Sequence, residues 1–328
     1  MPTPSKDNAL PKKNENVQPY RGQRAPDGER YTKGYGRLRS FVKLARPKQW
    51  IKNLLLFAGP VAGGKILELH YFLLSFAAAV IYCVGASGIY MINDARDAEA
   101  DRLHPLKQLR PVASGDISSN AATWVGTLLI AIAIAVSALI TAHFAIALVS
   151  YIVISVAYSL WLKNEPVIDI SIVAFGFLLR AISGGLATSL PISVWFLTVA
   201  AFGSLFMVSG KRYAEVIETG ASASSHRLVL GSYSPAFLNY VRSVASGVAI
   251  AGYGLWAFEG FSLTKGYIFI QLSTVPFVIA ILLYALQADL GNAGSPEDVI
   301  LGDRRIQIVG AIWATLIMIG IYFPKLTG

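Results

Sequence analysis

Ile92-Asn93-Asp94-Ala95-Arg96-Asp97-Ala98-Glu99-Ala100-Asp101-Arg102 is the stretch on which the reading of this chain turns. It comes after a long apolar run, residues 71–92, of the length that crosses a bilayer as a helix. The run therefore delivers these polar groups to a membrane surface. If the helix continues through them, each residue turns the side chain by about 100°. Asn93, Asp94, Asp97 and Asp101 then fall within roughly a quarter of the circumference, while Arg96, Glu99 and Arg102 point elsewhere. Three carboxylates and an amide on one face repel unless a cation sits between them. Hard oxygen ligands, with room left for water and phosphate oxygens, suit Mg²⁺. The stretch thus reads as a magnesium site formed by Asn93, Asp94, Asp97 and Asp101 that holds a diphosphate. The plainer reading is a polar helix end with solvated charges. Four ligand-type residues on one face, with basic residues close behind, favour the metal.

The surrounding chain places this site in a lipid environment. Of 328 residues, 54% are hydrophobic and 14% charged, the balance of an all-α polytopic membrane protein. Apolar runs at 53–69, 71–92, 121–141, 144–162, 167–188, 192–210, 236–258, 267–287 and 305–323 predict nine spans. The first is short and broken by Gly59-Pro60. Gly85, Gly88, Gly176, Gly184 and Gly185 lie inside spans, where small residues let helices approach closely. Cys83 is the only cysteine, so no intramolecular disulfide can form.

Charge sets the expected orientation. Net charge is +9, and thirteen of the 28 Lys and Arg fall between Met1 and Lys52. Because they adjoin membrane spans, the expected partner is the bilayer's anionic head groups and not nucleic acid. Residues 1–36, rich in Pro, Asn, Lys, Arg and Gly, are expected to form a disordered basic cytoplasmic tail. No apolar core comes after the first charges, so this segment does not read as a signal peptide. Residues 37–328 form the transmembrane domain. With the N-terminus inside, the inner segments and their edges carry 24 of the 28 cations. The positive-inside rule then puts the aspartates on the cytoplasmic side of the plasma membrane.

Polar clusters recur on that side. Residues 38–52 are basic and amphipathic and suit a surface helix. Within them, Arg46-Pro47-Lys48-Gln49-Trp50-Ile51-Lys52-Asn53 reads equally as an interfacial anchor or as an anion-binding rim. Later inner loops carry His104, Lys107 and Arg110-Pro111, then Tyr158 and Lys163, then Gly210-Lys211-Arg212-Tyr213-Ala214-Glu215. Arg and Lys bind phosphate through charge-assisted hydrogen bonds. Asp169 and Arg180 lie within one apolar stretch; such residues face a cavity or a partner. Their spacing of about three turns puts them on one face without touching. Of the histidines, only His104 is near the aspartates, and it reads as a loop residue.

Asn93-x-x-x-Asp97-x-x-x-Asp101 after the second span, Arg110-Pro111, and Tyr158 to Lys163 after the fourth resemble the UbiA superfamily of intramembrane prenyltransferases. The resemblance covers about residues 41–325. It implies nine helices around a central cavity open to lipid, with magnesium-held diphosphate under cytoplasmic caps. Ordinary members carry a second aspartate-rich motif after the sixth span, where this chain has Lys211, Arg212, Tyr213 and Glu215. That departure, with the Arg46–Asn53 motif, is similar to a branch that transfers phosphoribosyl to decaprenyl phosphate.

This resemblance implies phosphoribosyl pyrophosphate as donor and a polyprenyl phosphate as acceptor. Asp94, Asp97 and Asp101, helped by Asn93, would hold Mg²⁺ against the pyrophosphate. Lys48, Lys52, Arg110 and Lys163 are candidates for the cationic shell. Lys211 and Arg212 are candidates for the ribose 5-phosphate or the lipid phosphate. Tyr158, Tyr213 and Glu215 complete the expected substrate-binding set. The acceptor is already anionic, so no general base is needed. Two other readings are an isoprenyl-diphosphate:aromatic prenyltransferase and a transporter. The first wants acids where Lys211 and Arg212 stand, and the second wants polar residues at both mouths. A monomer and a homo-oligomer are equally compatible with the sequence.

Overall fold

The computed structural model describes residues 36–103, 107–219, 228–259 and 266–327. Most of the expected tail, together with His104 and His226, therefore lies outside the described residues. Every regular element among the described residues is helical.

The chain enters through α1 (Arg37–Leu44), a basic surface helix that buries Leu44 against Met91, Ala98 and Val112. Arg46 then takes a left-handed backbone, φ 54° and ψ 61°. The next segment differs from the expected first span. Residues 53–69 do not form one helix. Instead a 3₁₀ strap covers Pro47–Phe57, continues as α2 (Ala58–Ala62), and gives way to turns before residue 69. Runs of 3₁₀ longer than three or four residues are uncommon because their hydrogen bonds are poor. Eleven such residues persist here because the strap packs against the helices at 69–96 and 168–188.

Those helices belong to a set of long apolar ones. They are α3 (Leu69–Arg96), α5 (Ser119–Ala138), α6 (Ala142–Leu160), α7 (Ile168–Thr188) and α8 (Val194–Thr219). After them come α9 (Pro235–Glu259), the pair α10 (Tyr267–Leu272) and α11 (Thr274–Asp289), α12 (Pro296–Gly302) and α13 (Arg304–Thr327). By length and composition, seven of the described helical stretches can cross a membrane: α3, α5, α6, α7, α8, the α10–α11 pair and α13. The break between α10 and α11 falls at Ser273. Pro276, three residues on, has no N–H to donate to the Leu272 carbonyl, so the helix loses a bond there.

Two polar motifs sit on helix where loop or unbroken helix was expected. α8 runs on past residue 210, so Lys211–Glu215 are helical and not part of a loop. α3 does not run unbroken through the aspartates. It ends at Arg96, Asp97 adopts φ −83° and ψ 2°, and α4 (Ala98–Leu103) starts anew.

The bundle packs closely where glycine allows. A Cβ on Gly88 of α3 would lie 2.5 Å from the Gly126 carbonyl of α5, and one on Gly126 would lie 2.7 Å from the Gly88 carbonyl. Without side chains there the two backbones touch, and dispersion replaces the hydrophobic force that lipid withholds. The core beneath combines Tyr82, Phe144, Leu148 and Tyr151. Outward faces are apolar and exposed, as at Leu73, Phe76, Trp124, Leu128, Leu282 and Ile312. That surface suits contact with lipid chains.

Candidate functional site

Antiparallel passage brings one end of α3, α6, α7, α8 and α9 together, and the polar side chains gather there. A compact turn positions the first of them. Pro111 to Ile117 folds back on itself, with Ser114 N–H donating to the Arg110 carbonyl (2.8 Å) and Ile117 N–H to the Pro111 carbonyl (3.0 Å). Its Val112 and Ile117 are buried beside Leu44, Met91 and Ala98. This apolar anchor holds Arg110 over the end of α3.

Arg110 binds two aspartates through one nitrogen. Its Nη1 lies 2.7 Å from Asp101 Oδ2 and 3.3 Å from Asp94 Oδ1. Arg46 meets the same Asp94 oxygen at 2.6 Å, with its guanidinium 4.9 Å from the Tyr90 ring centre. Asp94 is only 4% exposed. A carboxylate so buried is costly without countercharge, and two guanidiniums supply it. Arg46 stands out in the sequence only as part of a motif; its left-handed backbone is what turns it toward Asp94.

Asp97 points away from this pair. Its side chain is 42% exposed and lies 3.9 Å from Lys163, which comes after α6. That contact joins the α3–α4 end to the α6–α7 connection. Asn93 is half-buried one turn earlier on α3. Among the described residues, no three His, Cys, Asp or Glu side chains are grouped to hold a metal ion. The donor set still fits magnesium. Asp94 and Asp101 converge on one cationic nitrogen, so a small cation can occupy the point where they meet. Mg²⁺ commonly takes one or two carboxylates and fills its shell with water and phosphate oxygens.

A second cluster centres on Asp169, which is 0% exposed. Arg212 grips it with Nε at 2.8 Å and Nη2 at 3.1 Å, and Tyr158 donates to it at 2.7 Å. Arg212 Nη1 also binds Glu215 at 2.7 Å, and Lys211 stands 3.8 Å from Glu215. The guanidinium of Arg212 is thus engaged by two carboxylates, and Tyr158 and Glu215 belong to the same network. Asp169 meets Arg212 and not Arg180, in keeping with two positions on one helix face too far apart to touch. Tyr213 lies apart from this network, its ring centre 4.6 Å from Arg242, which pairs with Asp289. On the strap, Lys48 is exposed and Lys52 sits 5.8 Å from the Phe177 ring centre. The structure therefore assembles Asp94, Asp101 and Arg110 with Arg46, sets Asp97 by Lys163, and groups Tyr158, Arg212 and Glu215 separately around Asp169.

Just beyond the Asp169–Arg212 pair, an apolar crease opens between α7 and α8, lined by Ser171, Ala174, Leu178, Ala201, Phe202 and Leu205.

The architecture is a bundle of long apolar helices with aspartates and arginines paired at one pole. The model of the UbiA prenyltransferase family matches residues 54–297, and the chain belongs to that family. It is 43% identical over 286 residues to the decaprenyl-phosphate phosphoribosyltransferase of Corynebacterium glutamicum, covering 86% of each chain. It is 42% identical over 293 residues to the enzyme of the same name from Mycolicibacterium smegmatis, covering 86% of this chain and 92% of that one. Its fold is similar to a UbiA homolog from Archaeoglobus fulgidus solved with GPP and Mg²⁺. That match has a TM-score of 0.64 at 19% identity and covers 87% of this chain and 99% of that one.

Proposed function

We propose that this chain transfers 5-phosphoribosyl from phosphoribosyl pyrophosphate to a polyprenyl phosphate, decaprenyl phosphate by analogy with its relatives, and releases pyrophosphate. The product would serve as a precursor of cell-wall arabinan. One observation supports the site: Asp94 and Asp101 converge on a single nitrogen of Arg110, as two carboxylates that would share a divalent cation must converge. The choice of donor is supported by relatives more than 40% identical that bear the phosphoribosyltransferase name. It is further supported by cations on α8 where a prenyl donor would want acids.

In this reading Asp94 and Asp101, with Asp97 and Asn93 on the open side, take up Mg²⁺. Held by these residues, Mg²⁺ would supply positive charge to stabilise the leaving pyrophosphate. Arg46 and Arg110, which balance the aspartates here, would bind pyrophosphate oxygens. Lys48, Lys52 and Lys163 complete the cationic rim. Lys211 takes the ribose 5-phosphate or the lipid phosphate, whereas Arg212 with Asp169, Tyr158 and Glu215 keeps α7 and α8 in place. The anomeric carbon gains oxocarbenium character, and the lipid phosphate attacks its opposite face. No base is required because the acceptor carries its own negative charge.

Nine crossings are part of the proposal. α9 has 25 residues, enough to span. The strap rises about 2.0 Å per residue, so it and α2 together reach roughly 30 Å. The polar pole would face the cytoplasm, covered by the connections around Arg110 and Lys163. Purified protein given labelled phosphoribosyl pyrophosphate, polyprenyl phosphate and Mg²⁺ should form a labelled lipid. Asp97→Asn and Asp101→Asn should abolish that product while remaining folded in detergent. Labelled prenyl diphosphate serving as donor, or undiminished turnover in either variant, would overturn the reading.

A further inference from the structure

The strap Pro47–Phe57 carries Lys48 and Lys52, and Arg46 precedes it. Its 3₁₀ hydrogen bonding is too weak to hold eleven residues in shape alone, so its position must come from what it touches. Two residues of α7, one turn apart, supply that seat. Gly184 lies under Leu56, and a Cβ there would overlap the Leu56 carbonyl oxygen. Arg180 donates from Nε to Asn53 Oδ1 at 2.9 Å. Asn53 in turn donates to Cys83 Sγ of α3 at 3.1 Å, and Trp50 donates to Ser87 of α3 at 3.1 Å.

Arg180 is an unusual residue to place there. It is 6% exposed and sits in the middle of a membrane-crossing helix. Its remaining bonds go to Tyr151 Oη (2.7 Å) and the Gly176 carbonyl (3.0 Å), and the Tyr151 ring centre is 4.5 Å away. All these acceptors are uncharged. A cation held at this depth by neutral groups is costly, and such residues mark function. A neutral glutamine could bond Asn53, but it could not also reach Tyr151 and lie on its ring. Only a guanidinium spans all three with fixed geometry.

We propose that Arg180 is a positioning residue: with Gly184 it clamps the strap through Asn53 and so fixes Arg46, Lys48 and Lys52 at the height where the donor's pyrophosphate binds. The catalytic half of this inference rests on the donor reading above. The mechanical half does not, and Cys83 reports it directly. Cys83 is the only cysteine in the sequence, is half-buried, and accepts from Asn53. A strap that loosens uncovers it.

The test uses the full chain purified in detergent. N-ethylmaleimide labelling of Cys83 is timed without substrate, and KM for the donor and kcat are measured separately. In Arg180→Leu, which leaves Asn53 without its donor, labelling should quicken by roughly tenfold, the factor given by losing one charged hydrogen bond from a local opening equilibrium. KM for the donor should rise by a similar factor, with kcat changed far less. Gly184→Ala should give the same pair of effects while leaving the guanidinium intact, and Arg180→Lys should fall between. If Arg180→Leu does not fold, the other two variants carry the same test. Wild-type labelling in these variants would overturn the clamp. Faster labelling with an unchanged donor KM, or a loss confined to kcat, would overturn its link to donor binding. Because labelling contains no substrate, its outcome is independent of which donor the enzyme uses.

Discussion

At the scale of single residues, charge balance is the organising fact. Arg46 is the least obvious participant, because a left-handed backbone is disfavoured for any residue with a Cβ. Its contact with Asp94 and its place beside Tyr90 compensate. Arg46→Ala should raise KM for the donor by about tenfold to a hundredfold, matching the roughly 1.5–3 kcal/mol of a charge-assisted hydrogen bond. Arg46→Gly removes the backbone strain but also the cation, so it should bind donor as poorly. Near-normal binding by the glycine variant would mean the backbone, and not the charge, matters. Arg212 poses the opposite case. Removing it by Arg212→Leu leaves Asp169 buried without its main countercharge, which should cost about 3–5 kcal/mol. The double variant Arg212→Leu with Asp169→Leu should recover much of that loss, read as detergent melting temperature. The sequence marked Asp169 as costly in lipid but could not name its partner, which lies 43 residues away on another helix.

At the scale of elements, the strap and the helix crossings carry the fold's constraints. Apolar periodicity located the long helices to within a few residues because lipid demands an unbroken run of internally bonded backbone. It failed at 53–69 because 3₁₀ and α segments have the same apolar composition and differ only in pitch. It also placed Lys211–Glu215 beyond the helix, since hydropathy ends where helix need not. Glycine positions separate structure from chance. Gly88→Ala should destabilise by about 1–3 kcal/mol, because its Cβ would meet the Gly126 backbone. Gly203→Ala, on α8 with nothing within 4 Å of its Cβ, should be neutral or stabilise by about 0.5–1 kcal/mol through helix propensity. Thermal unfolding of both in one detergent checks the contrast; equal effects would mean the α3–α5 contact is not close-packed.

At the scale of the whole molecule, the asymmetry of charge predicts one orientation for the bundle. In a Cys83→Ala background, Ser189→Cys should react with an impermeant maleimide added outside intact cells. Ser114→Cys should react only after the membrane is opened. Both positions are exposed, so the reverse pattern would invert the topology. The family was legible in the sequence because its motifs are local: Asn93 to Asp101, Arg110-Pro111 and Tyr158 to Lys163 each lie within a dozen residues. An all-helical membrane protein was equally legible, because composition and run length alone decide whether a chain can leave water. Sequence by itself thus determined the solvent, the long helices and the family. Only the tertiary structure decided that Arg110 bridges Asp94 and Asp101, that Arg212 is bound by Asp169, and that Arg180 reaches Asn53 across 127 residues of chain. Pairing of buried charges depends on distance in space, and residue types and spacing along one helix say nothing of what the next helix brings alongside.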